Sequence, residues 1–416
     1  MKVGIIGAGI GGSCLAHGLK NEGVDVRVFE RNPASTSGLA GYGIHINVFG
    51  QEAMKECLPA ENWQAFLRAS RPIGGQARFY DEDLRLLAAQ DGIHVKDGAV
   101  VEERRLSISR TELKDILLEG LGDVVEWDRT FLRYETLQYG RIRIHFADER
   151  YSDVDVLVGA DGANSKVRKQ YLPQIERLDV GVTIIVGRSR LTLDLASSLP
   201  PDLIDGSPNS IVPLGTDWMF TSVWRAPVDT NADSKTAQID TFAVWAYIAA
   251  SDKFPANLST IPPEALCDLA LSRIAGWNTN LHRLIKQSDM PSVSVVPLKS
   301  MPQLPAWESS AVTLLGDSIH NMTPMAGIGA NTALRDARLL KQGLAFAEMC
   351  ESDPVNEIKE YEVQMRRYAN EALHLSLRNS RNAVDPSMFK RRMFRHVLKI
   401  AQALPPVKRL LFPAGK

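Results

Sequence analysis

The sequence predicts a mixed α/β fold with an inserted β-rich segment and a helical C-terminal region. Three observations support this. Glycine turns follow short apolar strands at three separate places, and each leads into helical sequence. The stretches between the second and third turns are β-branched and aromatic. Beyond about residue 345 the pattern is helical. With 416 residues, 44% hydrophobic and 23% charged, the chain can bury two sizeable cores.

The first turn lies in "MKVGIIGAGIGGSCLAHGLKNEGVDVRVFER". An apolar strand from Lys2 runs into Gly7-Ala8-Gly9-Ile10-Gly11-Gly12 and then into a helix with Leu15, Ala16 and Leu19 on one face. Gly7 suits the tight turn, Gly9 leaves room for a pyrophosphate, and Gly12 allows the helix to approach the strand. The helix N-terminus offers free N–H groups to phosphate. Gly23 caps the helix, and the next strand ends at Glu30, whose carboxylate suits the hydroxyls of an adenosine ribose. This is a Rossmann-type dinucleotide fingerprint, and by itself it does not separate NAD from FAD.

The second turn is in "DVDVLVGADGANSKVRKQ", a strand from Val154 to Gly159 followed by Asp161-Gly162, with Ser165 and Arg168 opening a helix. The third, "GDSIHNMTPMAGIGANTALRDA", follows the strand "AVTLLGD". It sets Asp317, Ser318 and His320 within four positions, which raises a hydrolytic reading. A Ser-His-Asp relay needs side chains converging from separate segments, and no G-x-S-x-G elbow exists here. Hydrolysis is therefore a poor fit.

Together, "GAGIGG…E", "GADGANSKVR" and "GDSIHNMTPMAGIGAN" resemble the three fingerprints of the class A flavoprotein monooxygenases, the family typified by para-hydroxybenzoate hydroxylase. The resemblance spans residues 1 to about 345. It implies a glutathione-reductase-like FAD-binding domain and assigns Gly7, Gly9, Ile10, Gly11 and Gly12 to the FAD pyrophosphate, Glu30 to the ribose and Arg31 to the adenine end. Asp161 supports the pyrophosphate region, Asp317 bonds the ribityl chain, and the backbone of Gly329, Ala330 and Asn331 meets the isoalloxazine ring. Arg110 matches an arginine near the FAD phosphates, or is a solvated arginine in the first turn of a helix opened by a Ser109–Glu112 capping box.

Reduced flavin carries negative charge around nitrogen 1 and oxygen 2, which the positive end of the helix starting near Asn331 can stabilise. Pro324 fixes the loop that flanks the oxygen adduct in the family. His320 and Ser318 then read as turn or packing residues. "GYGIHINVFG" is similar to a family segment that runs past the flavin, and His45 departs from its usual neutral residue. Two readings of His45 stay open, a base that deprotonates a phenol and a packed histidine.

No second G-x-G-x-x-G follows any strand, so the reductant, NADH or NADPH, has no Rossmann domain of its own. The FAD-binding domain is expected to be discontinuous, about 1–70, 101–178 and 290–345. Residues 71–100 and 179–289 form the substrate domain, and 346–416 the C-terminal helical region. The substrate domain is expected to be a sheet covering the flavin, built from "VGVTIIVGRSRLTL", "SIVPLGTDWMFTSVWRA" and "TFAVWAYIAA". Phe220, Trp224, Trp245 and Tyr247 lie in it, either lining an apolar pocket or packing the core.

The expected activity is an NAD(P)H- and O2-dependent hydroxylation of an aromatic or electron-rich small molecule through a flavin C4a-hydroperoxide. A flavin oxidase or reductase without oxygen insertion, and a flavin-containing interaction protein, are the alternatives. The W-x-W-x-I-P signature of flavin halogenases is absent.

The remaining features bound partners and compartment. A net charge of −1 and the lack of a basic block interleaved with aromatics argue against nucleic acid. Cys14, Cys57, Cys267 and Cys350 form no C-x-x-C pair, so no zinc site or disulfide framework is expected and a reducing, cytoplasmic setting fits. No apolar run approaches the ~20 residues that cross a bilayer, and a strand beginning at Lys2 leaves no room for a targeting peptide. The tail from 385 to 416 carries eight Lys/Arg against Asp385. Its apolar stripe, Met388, Phe389, Phe394, Val397, Leu398, Ala401 and Leu404, is expected to pack on the FAD domain rather than on a membrane.

Overall fold

The computed structural model describes residues 1–34, 43–72, 77–90, 93–96, 99–102, 105–225 and 241–411. Gly41 and Tyr42, at the start of the His45 segment, lie outside the described residues.

A five-stranded parallel sheet runs in the order Val125–Glu126, Asp25–Phe29, Lys2–Ile6, Val156–Gly159, Val312–Leu314. Its strands are short apolar runs because both faces are covered: Val3, Ile5, Val28, Val156, Leu157 and Val158 have no exposed surface. The register pairs Ile6 with both Phe29 and Gly159, and Gly159 with Leu314. The carboxyl ends of four strands therefore share one edge, and the three glycine turns leave from it. Helix Gly329–Met349 packs on helix Ile10–Asn21 beside this sheet.

The second layer is a seven-stranded sheet, ordered Ser294–Ser300, Leu178–Arg190, Thr241–Ala250, Trp218–Arg225, Asn209–Ile211, Arg78–Tyr80, Leu86–Ala89. Its pairs are antiparallel except that between Asn209–Ile211 and Arg78–Tyr80. Strand Ser294–Ser300 was assigned by sequence to the FAD-binding segment from 290 onward. It instead extends this sheet, because its backbone pairs with Ile184–Val186 and Leu178–Asp179. A small sheet of Gly43–Ile46, Leu106–Ser109 and Arg71–Pro72 lies between the layers in sequence and carries His45.

The tail helix Met388–Ala403 does not pack on the parallel sheet. It lies along edge strand Leu86–Ala89, where Leu398 joins Leu87, Ala88 and Val212, and Phe394 meets Phe79 edge-on with ring centres 6.1 Å apart. Arg395 pairs with Glu82 at 2.5 Å and Asp81 at 3.4 Å, and the buried Arg391 guanidinium sits 5.1 Å over the Trp218 ring. The expected stripe is therefore shifted. Phe389 is 74% exposed, whereas Arg391 and Arg395 are spent inside the contact. An edge strand gains from such cover, since its unpaired backbone otherwise invites another chain.

Among the described residues no helix is long and apolar enough to cross a membrane. Leu398→Ala removes a fully buried side chain from the tail contact and is expected to cost about 2–5 kcal/mol, read as a lower denaturation midpoint. An unchanged midpoint would show that the tail adds nothing to the fold.

Candidate active site

The first turn is built by close approach. Gly7 has φ +106°, and a side chain on it would meet the Ala160 carbonyl oxygen at 2.5 Å. A Cβ on Gly12 would stand 2.2 Å from the Gly7 carbonyl, and one on Gly11 would stand 2.3 Å from Leu315. Gly11 thus serves helix-to-strand packing on that side. Gly9 is different: nothing lies within 4 Å of where its side chain would be. The turn is open only there, at the start of helix Ile10–Asn21, whose first residue Ile10 is half-buried and whose N-terminus has no side-chain cap.

Glu30 lies at the end of the adjacent strand with one carboxylate oxygen accepting from the Ala8 N–H (2.9 Å) and the other from Asn32. Arg31 beside it is exposed. Arg110 is the exposed first residue of helix Arg110–Leu118, and Ser109 does form the expected box, accepting from the Glu112 N–H and donating to its carboxylate. In the second turn, one oxygen of Asp161 accepts from the N–H groups of Lys166 and Val167, while the other is buried without a partner. Its unmet acceptor and the open position at Gly9 both fit a bound dinucleotide.

The third turn answers the question raised by Asp317, Ser318 and His320. The Ser318 hydroxyl lies 2.6 Å from both the Gly159 and the Leu315 carbonyls, which share its one proton, and it accepts from the Leu315 N–H, so it ties two strand ends together. The buried Arg168 guanidinium holds the Ser318 carbonyl at 2.6 Å, joining the second turn to the third. His320 is fully buried against Asp336, 2.6 Å away. Burial opposes the imidazolium, yet the Asp336 carboxylate outweighs it and raises the pKa. From Val312 to His320 the sole exposed residue is Asp317. The trio is no relay; its two buried members support the turn that presents the third.

Helix Gly329–Met349 begins with no side-chain cap and no acid in its first turn, which leaves its positive end free. Asn331 is buried and uses its side chain as a clamp: Nδ2 donates to the His45 carbonyl and Oδ1 accepts from the Asn47 N–H, both at 2.9 Å. The start of this helix and the His45 strand are thereby locked together. Gly329 and Ala330 stay half-buried at the opening, and Pro324 starts the short turn Pro324–Ala326.

The two-residue period of strands divides the four aromatics. Phe220 and Trp224 share one face, with Phe220 packed in a cluster that includes Met325, next to Pro324. A side chain on Gly43 would touch Trp224 at 3.1 Å, so His45, two residues on, points to that same side. Trp245 and Tyr247 point to the opposite face. Trp245 is wholly buried with its indole N–H on Ser288, and Tyr247 donates to Asp217 at 2.7 Å. They are core residues on the face away from Phe220, which is the packing reading of the two that the sequence left open for this pair. Both belong to a separate core with Ile185, Leu281 and Leu284.

Burial and the nearby Arg105 guanidinium push the His45 imidazole down to about 4. Arg105, Asp336 and Tyr368 were not found by motif, and Arg168 was read only as opening a helix, not as the partner of the Ser318 carbonyl. Asp336 carried one signal, as the lone acid among Leu334, Ala337 and Leu340 on the buried stripe of its helix. Among the described residues no cluster suits a metal ion.

A family model for an FAD binding domain matches residues 275–376, and one for an NAD(P)-binding Rossmann-like domain matches residues 5–47. A crystal structure from Photorhabdus luminescens, assigned as an FAD-containing monooxygenase, is 57% identical, covers 92% of this chain and 98% of its own, and superposes with a TM-score of 0.82. The dual O-methyltransferase/FAD-dependent monooxygenase elcB of Phaeosphaeria nodorum is 30% identical over 86% of this chain, which spans 42% of that relative's length. The 6-hydroxynicotinate 3-monooxygenase of Bordetella bronchiseptica is 24% identical over 82% of this chain and 81% of its own. The chain therefore belongs to the class A FAD-dependent monooxygenases, the family typified by para-hydroxybenzoate hydroxylase, with FAD as its cofactor.

Proposed function

We propose that this protein uses NAD(P)H and O2 to hydroxylate an aromatic or comparably electron-rich small molecule. The observation that carries the reading is one face of the seven-stranded sheet, where Phe220 and Trp224 lie together, Trp224 borders the strand of His45, and Phe220 packs in the same cluster as Met325 of the Pro324–Ala326 turn. Similarity to a 6-hydroxynicotinate 3-monooxygenase supports an aromatic substrate class. In this reading the parallel-sheet segments bind FAD, the seven-stranded sheet holds the substrate, and the 346–416 helices brace both. The four unpaired cysteines favour a cytoplasmic setting.

In the proposed site, Gly7, Gly9, Ile10, Gly11 and Gly12 receive the pyrophosphate, with Asp161 beside them. Glu30 takes the adenosine ribose, Arg31 and Arg110 lie toward the nucleotide end, and Asp317 takes the ribityl chain. The open N-terminus at Gly329, Ala330 and Asn331 faces the ring, where its N–H groups favour negative charge. When bound, FAD accepts hydride from NAD(P)H and activates oxygen. The protein positions the substrate and keeps water out. Pro324 stiffens the loop over the ring, and Phe220 and Trp224 offer flat apolar surface to an aromatic substrate.

His45 is neutral at pH 7 and its ring nitrogen can accept a hydrogen bond from a substrate hydroxyl, so in this reading it draws that proton toward itself in the transition state while the Arg105 guanidinium favours the negative charge that builds on the oxygen. Oxygen insertion distinguishes this reading from an oxidase. Purified protein given NAD(P)H, candidate aromatics and isotopic O2 is expected to place one labelled oxygen in the product. Reductant consumption without label in the product would make it an oxidase or reductase.

His45→Gln is expected to lower kcat/KM by about 10²–10⁴-fold with FAD binding kept. Because the imidazole is pushed down to about 4, the acid limb of the wild-type rate profile falls near that pH rather than near 6.5. A limb at 6.5 that survives in the variant would remove His45 from the reaction. Ala330→Glu sets a carboxylate at the open helix end and is expected to lower the flavin reduction potential by the equivalent of ~0.3–2 kcal/mol. An unchanged potential in a variant that retains FAD would exclude the helix end as the source of charge stabilisation.

A further inference from the structure

Behind the turn that presents Asp317 lies a buried polar cluster that the proposed chemistry does not use. Asp336, on the flavin helix, has no exposed surface and accepts three hydrogen bonds. One oxygen receives the Gly316 N–H at 2.8 Å and the His320 Nε2 at 2.6 Å; the other receives the Tyr368 hydroxyl. Gly316 has φ +65° and ψ −141°, a conformation that an ordinary residue resists, and it caps the one-turn helix Asp317–His320. The carbonyl of Gly316 accepts from the N–H groups of Ile319 and His320. The backbone immediately before Asp317 is therefore held from both sides, by its own short helix and by a carboxylate from another element.

We propose that Asp336, oriented by His320 and Tyr368, is the positioning residue for the Gly316–Asp317 turn, and through it sets how tightly FAD is held. This rests on the reading of Asp317 as the ribityl-chain ligand. A buried carboxylate left with a free acceptor is costly, so Asp336 keeps its position only while its donors keep theirs. His320 supplies the counter-charge. Its raised pKa means the ion pair's contribution is complete below the unfolded histidine's ordinary value and is lost as pH rises through the raised folded value. Loss of the Nδ1 proton removes the counter-charge while Nε2 keeps its hydrogen bond, so Asp336 is then held by hydrogen bonds alone and its grip on the Gly316 N–H weakens.

The groups around His320 are few. Asp317 is on its own turn and Asp336 on the flavin helix. On helix Pro354–Ala383, Tyr368 bonds Asp336, Tyr361 donates to the Leu314 carbonyl, and Glu362 is turned to Ser309 and Thr313. On the other side, Arg168 holds the Ser318 carbonyl and Arg177 reaches Asn321. Arg335 stacks 4.0 Å over the Tyr368 ring and 5.1 Å from Phe49. Only His320 has both a raised pKa from Asp336 and a bond to the oxygen that receives Gly316.

The test is an FAD titration of apoprotein, followed by flavin fluorescence, from pH 6 to pH 9, for wild type and for Asp336→Asn, His320→Gln and Tyr368→Phe. Wild-type affinity is expected to fall at least threefold as pH rises through the His320 ionisation. His320→Gln is expected to be weaker at pH 6 and flat across the range. Asp336→Asn should weaken FAD at least tenfold, and Tyr368→Phe by a smaller factor with the pH dependence kept. If Asp336→Asn fails to fold, the other two variants carry the test, since a purely structural role would shift affinity without changing its pH dependence. The proposal is overturned if His320→Gln keeps the wild-type pH profile, or if the folded Asp336→Asn and Tyr368→Phe proteins bind FAD as wild type does. Wild-type protein that takes up no FAD at any pH would overturn the flavoprotein reading itself and this latch with it.

Discussion

The constraint on which the rest depends is the closeness of the three turns at the carboxyl edge of the parallel sheet. At Gly12 and Gly11 the space is already taken: a methyl on Gly12 would lie 2.2 Å from the Gly7 carbonyl, and one on Gly11 would lie 2.3 Å from the Leu315 side chain. Backbone crowded this tightly must still satisfy its polar groups, and side chains from other turns do so. Ser318 bonds the Gly159 carbonyl, Arg168 the Ser318 carbonyl, and Asp336 the Gly316 N–H. Each bond crosses from one motif to another or from helix to turn. The motifs thus act as one cradle, and displacement of one turn unsettles acceptors in the others.

The same economy links the cofactor side to the chamber. Asn331 opens the flavin helix, and its amide clamps the backbone on both sides of Ile46, at His45 and Asn47. The residue at the mouth of the helix dipole therefore also sets where His45 stands. Burial pushes that imidazole's pKa down, whereas the pKa of the fully buried His320 is raised by Asp336. Two histidines with the same intrinsic chemistry are driven apart by one difference, a carboxylate against one and a guanidinium near the other.

Much of this was legible in the chain. Strand, glycine turn, helix and terminal acid are local patterns, and the structure has them: strand Lys2–Ile6 before Gly7, strand Asp25–Phe29 before Glu30, and the Ser109–Glu112 box at the start of its helix. The strands of the seven-stranded sheet were legible for the same reason, as β-branched and aromatic runs at 178–190, 218–225 and 241–250. Which face each residue takes was not. Phe220 and Trp245 read alike as strand aromatics, but the cross-strand register sets one in the cluster of Ile184 and Ile248 and the other against Ser288.

The sequence by itself determined the turns, the order of the three motifs and the cofactor class, because each depends on residues within a few positions and on backbone geometry that glycine and proline allow. The tertiary structure alone decided the partners across long separations. His320 met Asp336 through a helix sixteen residues on, and the tail helix took the edge strand Leu86–Ala89 in place of the parallel sheet. Such contacts depend on which surfaces remain uncovered once the layers have packed, a condition that no local pattern encodes.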